Sequence, residues 1–177
     1  FIDPLDGTNN YFAGIPYFSV SIALKFKSEL IVGVVFNPIA NQLFEATLNG
    51  GAFLDGELIE SSKNTELKNS VCSFIQGHNL QNSEELVGLK SKISQNFRRV
   101  ISTWAPALDW TLLANGGIDA LICYDSEIED LYAGLLIAKE AGVKVLNFSG
   151  GTVNIDDRRI VASNKFISER LLELIKK

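Results

Sequence analysis

Alternation of apolar and polar side chains marks three strands in the first third of the chain. From Phe18 to Lys25, large apolar residues alternate with small or polar ones, and a period of two residues predicts a β-strand. The segments Leu30 to Phe36 and Gln42 to Ala46 continue in the same way, and polar turns separate all three. We therefore expect an antiparallel meander.

Helical and strand-like segments alternate in the remainder of the chain. Ser83 followed by Glu84 and Glu85 predicts a helix start, because the helix dipole favours acidic side chains in the first turn. The sequence predicts helices at 83–94, 105–115, 129–141 and 166–176, and strands at 70–75, 98–101, 118–124, 143–146 and 159–163. Strands interleaved with helices after a meander indicate an α/β fold, a layered α+β sandwich.

Composition and charge narrow the class of protein. With 177 residues, 46% of them hydrophobic, the chain can bury a sizeable core, and we expect a single domain over residues 1–177. No apolar run approaches the roughly 20 residues of a membrane helix, and no secretory signal pattern is visible, which favours a cytoplasmic protein without a membrane partner. Cys72 and Cys123 lie in apolar surroundings typical of buried, reduced thiols. The net charge of −5 argues against broad nucleic-acid binding.

The start of the chain is also informative. The sequence contains no methionine, and Phe1 falls where we expect a buried strand leading into a turn. We therefore expect the chain to be part of a longer protein.

The segment Asp3-Pro4-Leu5-Asp6-Gly7-Thr8 holds the candidate chemistry. Taken alone, proline followed by Asp-Gly is equally typical of a simple turn. The spacing favours more, because both carboxylates and the carbonyl oxygen of Leu5 can converge on one point. Such an all-oxygen set suits Mg²⁺. Gly7 would let a phosphate approach the backbone, with the N–H groups of Gly7 and Thr8 as donors.

The segment from Phe1 to Tyr11 resembles the metal-binding signature of the inositol monophosphatase family of Mg²⁺-dependent, lithium-sensitive phosphatases. Further motifs match in order along the whole chain. They are the Gly50 to Gly56 hairpin, the helix and strand from Ala107 to Ala120, and Asp130-Leu131-Tyr132-Ala133-Gly134 with Glu140-Ala141-Gly142 downstream.

The resemblance implies the C-terminal part of an α-β-α-β-α fold, without the family's N-terminal helices and their metal-binding glutamate. It implies two-metal hydrolysis of a phosphomonoester, with one Mg²⁺ on Asp3 and the Leu5 carbonyl and the other on Asp3, Asp6 and Asp130. Thr8 would orient the attacking water, Asp130 would also contact substrate, and the family is commonly dimeric. Without Asp3 and Asp6, Asp130 would read only as an acidic residue near a helix start.

Departures from the family pattern bear on the substrate. The stretch that usually reads Arg-Ser-x-Gly-Ser/Thr-Ala-Ala runs Ile101-Ser102-Thr103-Trp104-Ala105-Pro106-Ala107 here. Pro106 takes the place of an alanine whose N–H contacts the inositol ring, and proline has no N–H. Cys123 replaces a glutamate that binds a ring hydroxyl, a role that Asp125 or Glu127 could take over.

Three functions follow as alternatives. The first is a phosphatase for inositol monophosphate or a related sugar phosphate. The second is a related phosphatase for fructose 1,6-bisphosphate, 3′-phosphoadenosine 5′-phosphate or histidinol phosphate. The third is a non-catalytic binding protein. Trp104 and Trp110, six residues apart around a helix start, are expected in the core or at a subunit contact, and His78 on the surface.

Overall fold

A computed structural model describes residues 1–77, 83–126, 131–154 and 157–176. The first part of the chain folds into one antiparallel sheet whose strands lie side by side in chain order. These strands are β1 (Ile2–Asp6), β2 (Ser19–Phe26), β3 (Glu29–Asn37), β4 (Gln42–Thr47), β5 (Gly51–Leu54) and β6 (Glu57–Leu58). The predicted meander is confirmed, and β1, β5 and β6 extend it.

The later strands form a second, mixed sheet. They are β7 (Val71–Gln76), β8 (Arg99–Ile101), β9 (Ala120–Tyr124), β10 (Lys144–Asn147) and β11 (Arg159–Ser163). Their order across the sheet is β10-β11-β9-β7-β8. Strand β7 runs parallel to both β8 and β9, whereas β11 pairs antiparallel with its two neighbours.

Some of the helices lie between the two sheets, and others cover the outer face of the second sheet. The helices are α1 (Thr8–Ala13), α2 (Glu84–Asn96), α3 (Pro106–Ala114), α4 (Tyr132–Glu140) and α5 (Ser168–Lys176). One core cluster joins the first sheet to α3, α4 and one face of the second sheet. The other cluster joins the opposite face of the second sheet to α2 and α5. The layers are therefore β-α-β-α, which confirms the predicted layered architecture.

On strand β2 the small residues face the core and the large apolar residues face outward, which is the reverse of the usual arrangement. Ser19, Ser21 and Ala23 are buried, whereas Ile22 and Leu24 on the other face are exposed. The small residues face inward because α4 lies close to this sheet. At Gly33 of β3 an added Cβ would come within 2.7 Å of the Ala133 carbonyl oxygen.

Strand β1 corrects one prediction. We expected a buried strand at Phe1, but Phe1 and Ile2 are exposed, at 52% and 71%. Strand β1 pairs with β2 along one side only and forms the edge of the sheet. Among the described strands, the backbone of β1 therefore has a partner on one side only, while the Phe1 ring contacts Tyr132 with 4.8 Å between the ring centroids.

The predicted boundaries otherwise lie close to those of the structure. Ser83 caps α2 by accepting a hydrogen bond on Oγ from the Leu86 N–H (3.2 Å). Helix α4 begins at Tyr132, three residues after the predicted start, and residues 127–130 lie outside the described part. His78 also lies outside it. Among the helices of the described residues, none is long and apolar enough to cross a membrane.

Candidate active site

The turn between β1 and α1 is closed by its own hydrogen bonds. Oδ1 of Asp3 accepts a hydrogen bond from the Leu5 N–H (3.0 Å). The hydroxyl of Thr8 donates to the Leu5 carbonyl oxygen (2.9 Å). An Asp side chain bonded to the backbone two residues on is a common turn device, and proline at the next position fixes the chain direction. The turn therefore holds its oxygen atoms in place before any ligand binds.

Asp6 is the buried carboxylate of this turn, with an exposed fraction of 3%. Its Oδ2 accepts hydrogen bonds from the Ser19 hydroxyl (3.2 Å) and from the Ala107 N–H (3.2 Å). Burial raises the pKa of Asp6 to about 8, and the negative charge of Asp3 pushes it in the same direction. The two hydrogen bonds oppose this rise but do not cancel it. Deprotonation therefore leaves two carboxylates close together without a compensating charge.

Gly7 joins β1 to α1 in a conformation that few other residues adopt. Its φ is +84°, and an added Cβ would lie 3.0 Å from the Ala105 Cβ and 3.1 Å from the Tyr17 carbonyl oxygen. Both the backbone angle and the close approach therefore require glycine. The first N–H groups of a helix have no partner within it, and Gly7, the N-cap of α1, has no side chain to accept from them.

Hydrogen bonds and side-chain packing join the segment before α3 to this turn. Asn10 is buried, and its Nδ2 donates to the carbonyl oxygens of Tyr17 (2.6 Å) and Thr103 (2.7 Å). Ala105 is fully buried against Gly7, and Ala107 holds Asp6. The start of α3 thus forms one wall of the candidate site.

Asp109 anchors the same wall, and we did not single it out as a functional residue from the sequence. It is 1% exposed and accepts hydrogen bonds from the hydroxyls of Ser73 (2.6 Å), Thr103 (2.6 Å) and Tyr17 (3.3 Å). Burial raises its pKa to about 6, against the effect of these donors. The available signal was an acidic residue in the first turn of the apolar helix α3, since a buried charge needs partners.

Two of the three positions weighed for contact with a substrate ring hydroxyl lie in the described part of the chain, and both offer little. Cys123 is fully buried in β9, where burial raises the pKa of its thiol. Asp125 already accepts two hydrogen bonds from the Arg159 guanidinium, at 3.1 and 3.2 Å. Glu127 lies outside the described residues. Cys72 is fully buried as well, so the predicted burial of both thiols is confirmed.

The chemistry of the donors fits a divalent cation. Asp3, the Leu5 carbonyl and Asp6 come together within one turn, and the raised pKa of Asp6 means that its surroundings do not stabilise the ionised carboxylate. A hard cation bound by carboxylate and carbonyl oxygens would supply the compensating positive charge. Within the described ranges, no group of three His, Cys, Asp or Glu side chains could hold a metal ion. Asp130, the third predicted carboxylate, lies outside those ranges.

Comparison with known proteins decides the family. The sequence profile of the inositol monophosphatase family matches residues 1–177. The chain belongs to the inositol monophosphatase family. This confirms the resemblance seen in the sequence, from the turn at Asp3 to the end of the chain.

Individual members of this family show the extent of the match. The chain is 34% identical over 181 residues to "Inositol-1-monophosphatase" of Mesorhizobium japonicum, covering 99% of the chain and 66% of the relative. It is 36% identical over 167 residues to "Nus factor SuhB" of Vibrio cholerae, covering 92% of the chain and 61% of the relative. The chain thus spans slightly under two thirds of the length of these relatives.

A solved structure agrees with the fold. The crystal structure of extragenic suppressor protein suhB from Bartonella henselae superimposes with a TM-score of 0.92 at 32% identity. The alignment covers 99% of this chain and 68% of that structure. The β-α-β-α layers described above are therefore those of an inositol monophosphatase family member.

Proposed function

We propose that this chain carries the catalytic site of a Mg²⁺-dependent phosphomonoesterase acting on inositol monophosphate or a related sugar phosphate. The observation that carries the proposal is Asp6, a buried carboxylate beside Asp3 whose pKa is raised to about 8. A buried charge without a partner is costly, so such a pair is best explained by a cation that binds between them. Family membership supports the same reaction class.

The residues that would hold two Mg²⁺ ions are Asp3, the Leu5 carbonyl, Asp6 and Asp130. Bound there, the ions would lower the pKa of a water nucleophile and neutralise charge on the leaving oxygen. Positioning and charge neutralisation account for most of the catalysis in phosphoryl transfer, so little covalent chemistry is required of the side chains.

The protein groups around the turn position the reactants. Thr8 gives its hydroxyl hydrogen to the Leu5 carbonyl, which leaves its oxygen lone pairs to accept a hydrogen bond from the attacking water. The N–H groups at the start of α1, after Gly7, would donate hydrogen bonds to a phosphate oxygen. The Ser19 hydroxyl and the Ala107 N–H fix the orientation of Asp6, which would bind both metal and phosphate.

A second candidate function is a non-catalytic binding or assembly role. The relative from Vibrio cholerae is called a Nus factor, and such a role would not depend on turnover. Hydrolysis of phosphomonoesters distinguishes the two functions. Retained folding without Mg²⁺ binding or phosphate release would favour the binding role.

Three further expectations belong to this proposal. We treat residues 1–177 as a single catalytic domain, because α3 and α4 share one core with both sheets. A homodimer and a cytoplasmic location are expected from the resemblance and the composition. Small phosphorylated metabolites, rather than nucleic acids, are the expected ligands of a chain with a net charge of −5.

The decisive experiment replaces Asp3 in the complete gene product. Asp3→Asn keeps the shape of the side chain but removes its charge, and we expect Mg²⁺-dependent phosphate release to fall below detection. The measurement is phosphate release from inositol 1-phosphate, fructose 1,6-bisphosphate, 3′-phosphoadenosine 5′-phosphate and histidinol phosphate. Activity of the variant within tenfold of the wild type on its best substrate would contradict the metal site.

A further inference from the structure

Trp104 adopts a backbone conformation that is unusual for a large side chain. Its φ is +61°, in the left-handed region where glycine is favoured. In the family pattern that corresponds to residues 101–107, glycine stands at this position. A bulky residue in this region is strained, and such strain persists where the surrounding structure imposes it.

The surroundings fix the backbone on both sides of Trp104. The Thr103 carbonyl oxygen accepts from Asn10, and the Thr103 hydroxyl donates to Asp109. On the other side, Ala105 is buried against Gly7, and Pro106 begins α3 with a restricted φ. The chain can therefore not relax at Trp104 without disturbing the wall of the candidate site.

The side chain held in this way is open to solvent. Trp104 is 61% exposed and takes part in no aromatic pair within the described residues. Trp110, six residues on, is fully buried. This exposed indole precedes Ala105, which contacts Gly7 of the turn. It has a large flat apolar face available for stacking, which Pro106 complements because it lacks a hydrogen-bond donor.

We propose that Trp104 is a specificity-determining residue that stacks on an aromatic ring in the alcohol part of the phosphomonoester. This inference rests on the proposed phosphatase function and specifies its substrate class as nucleoside or aryl phosphates. Sites that read ring hydroxyls need polar partners, whereas Pro106 has no N–H, Cys123 is fully buried, and both carboxylate oxygens of Asp125 already accept from Arg159. Base–aromatic stacking, by contrast, needs only an exposed ring face.

The kinetic test compares Trp104→Ala with Trp104→Phe in the complete gene product. Substrates are adenosine 5′-monophosphate, phenyl phosphate and inositol 1-phosphate, each assayed with Mg²⁺. We expect Trp104→Ala to raise KM for the two aromatic esters about tenfold, as expected for the loss of one stacking contact. The KM for inositol 1-phosphate and kcat for all three should change less than twofold, and Trp104→Phe should restore most of the affinity. Phe12→Ala removes another exposed aromatic ring and serves as the matched control.

A fluorescence measurement keeps this inference separate from the phosphatase proposal. Because Trp104 and Trp110 are the two tryptophans of residues 1–177 and Trp110 is buried, a nucleoside monophosphate stacked on Trp104 should quench the exposed indole, and the difference from Trp104→Phe isolates that contribution. Quenching that disappears in Trp104→Phe supports stacking whether or not phosphate is released. Equal effects of Trp104→Ala on all three substrates, or dissociation of a dimer by this variant, would overturn the inference.

If no ester in the panel releases phosphate and quenching is nevertheless observed, the phosphatase proposal fails and the aromatic ligand class stands. If phosphate is released without quenching or a selective change in KM, the phosphatase proposal stands and the role of Trp104 fails.

Discussion

The turn Asp3 to Thr8 and the segment Thr103 to Ala107 form two walls of one candidate site but differ in what they supply. The turn gathers negative charge, with Asp6 buried beside Asp3 and its pKa raised to about 8. The segment at α3 supplies a strained, exposed indole and a proline without an N–H. Under the proposed function, the reacting phosphate and the rest of the substrate would be recognised by separate parts of the chain. Changes in the turn should therefore affect chemistry, and changes in the segment should affect selectivity.

The largest expected effect in this comparison comes from the point where the two walls touch. Gly7→Ala introduces a Cβ 3.0 Å from the Ala105 Cβ at a φ of +84°. We expect a loss of about 2–4 kcal/mol in the free energy of unfolding, from backbone strain and overpacking together. Chemical denaturation measures the stability, and phosphate release should fall together with it.

Gly14→Ala is the matched control for this variant. Gly14 also has a positive φ, +73°, but no atom lies within 4 Å of an added Cβ. Its substitution should cost only the conformational part, about 1 kcal/mol. Equal losses for the two variants would show that the contact between the walls is unimportant.

The next largest loss of stability is expected for Asp109. This residue accepts hydrogen bonds from three hydroxyl groups and so supports the segment at α3. Asp109→Ala leaves the hydroxyls of Ser73, Thr103 and Tyr17 without their acceptor, which should destabilise the fold by about 2–3 kcal/mol. Asp109→Asn keeps one acceptor oxygen and should lose about 1 kcal/mol. Thermal unfolding of both variants checks the order, and a larger loss for asparagine would contradict the network described here.

Trp104→Gly is expected to give the smallest change in the free energy of unfolding, and this change should be a gain rather than a loss. Glycine adopts a φ near +61° without strain, so the variant should gain about 1 kcal/mol in the free energy of unfolding. It should at the same time lose selectivity for aromatic esters. A variant less stable than the wild type would show that Trp104 contributes packing rather than strain.

The sequence predicted the fold well where local signals were strong. The period-two alternation of Phe18 to Lys25 and the acidic helix start after Ser83 both gave elements close to those in the structure. The buried face of β2 was not predictable in the same way, because small residues face inward only where a helix lies as close as α4 does at Gly33. That proximity depends on residues about a hundred positions away.

The candidate site was partly predictable for a related reason. Asp3, Leu5, Asp6, Gly7 and Thr8 are neighbours in the sequence, so their spacing alone brought them together. Ser19, Ala107 and Asp109 reach the site through pairing of strands and packing of α3, which local patterns do not encode. Asp130 stays a prediction, and the strain at Trp104 required backbone angles.

The most direct test of the central claim, that Asp3 and Asp6 share a divalent cation, is the number of protons released when Mg²⁺ binds. Since the pKa of Asp6 is raised to about 8, this carboxyl is mostly protonated at pH 7 and must lose its proton to bind metal. Titration calorimetry in buffers of different ionisation enthalpy should show proton release on Mg²⁺ binding at pH 7 and close to none at pH 9.5. Mg²⁺ affinity should rise with pH up to about 8 and then level off. Binding without proton release at pH 7, or unchanged binding by Asp3→Asn, would contradict the account.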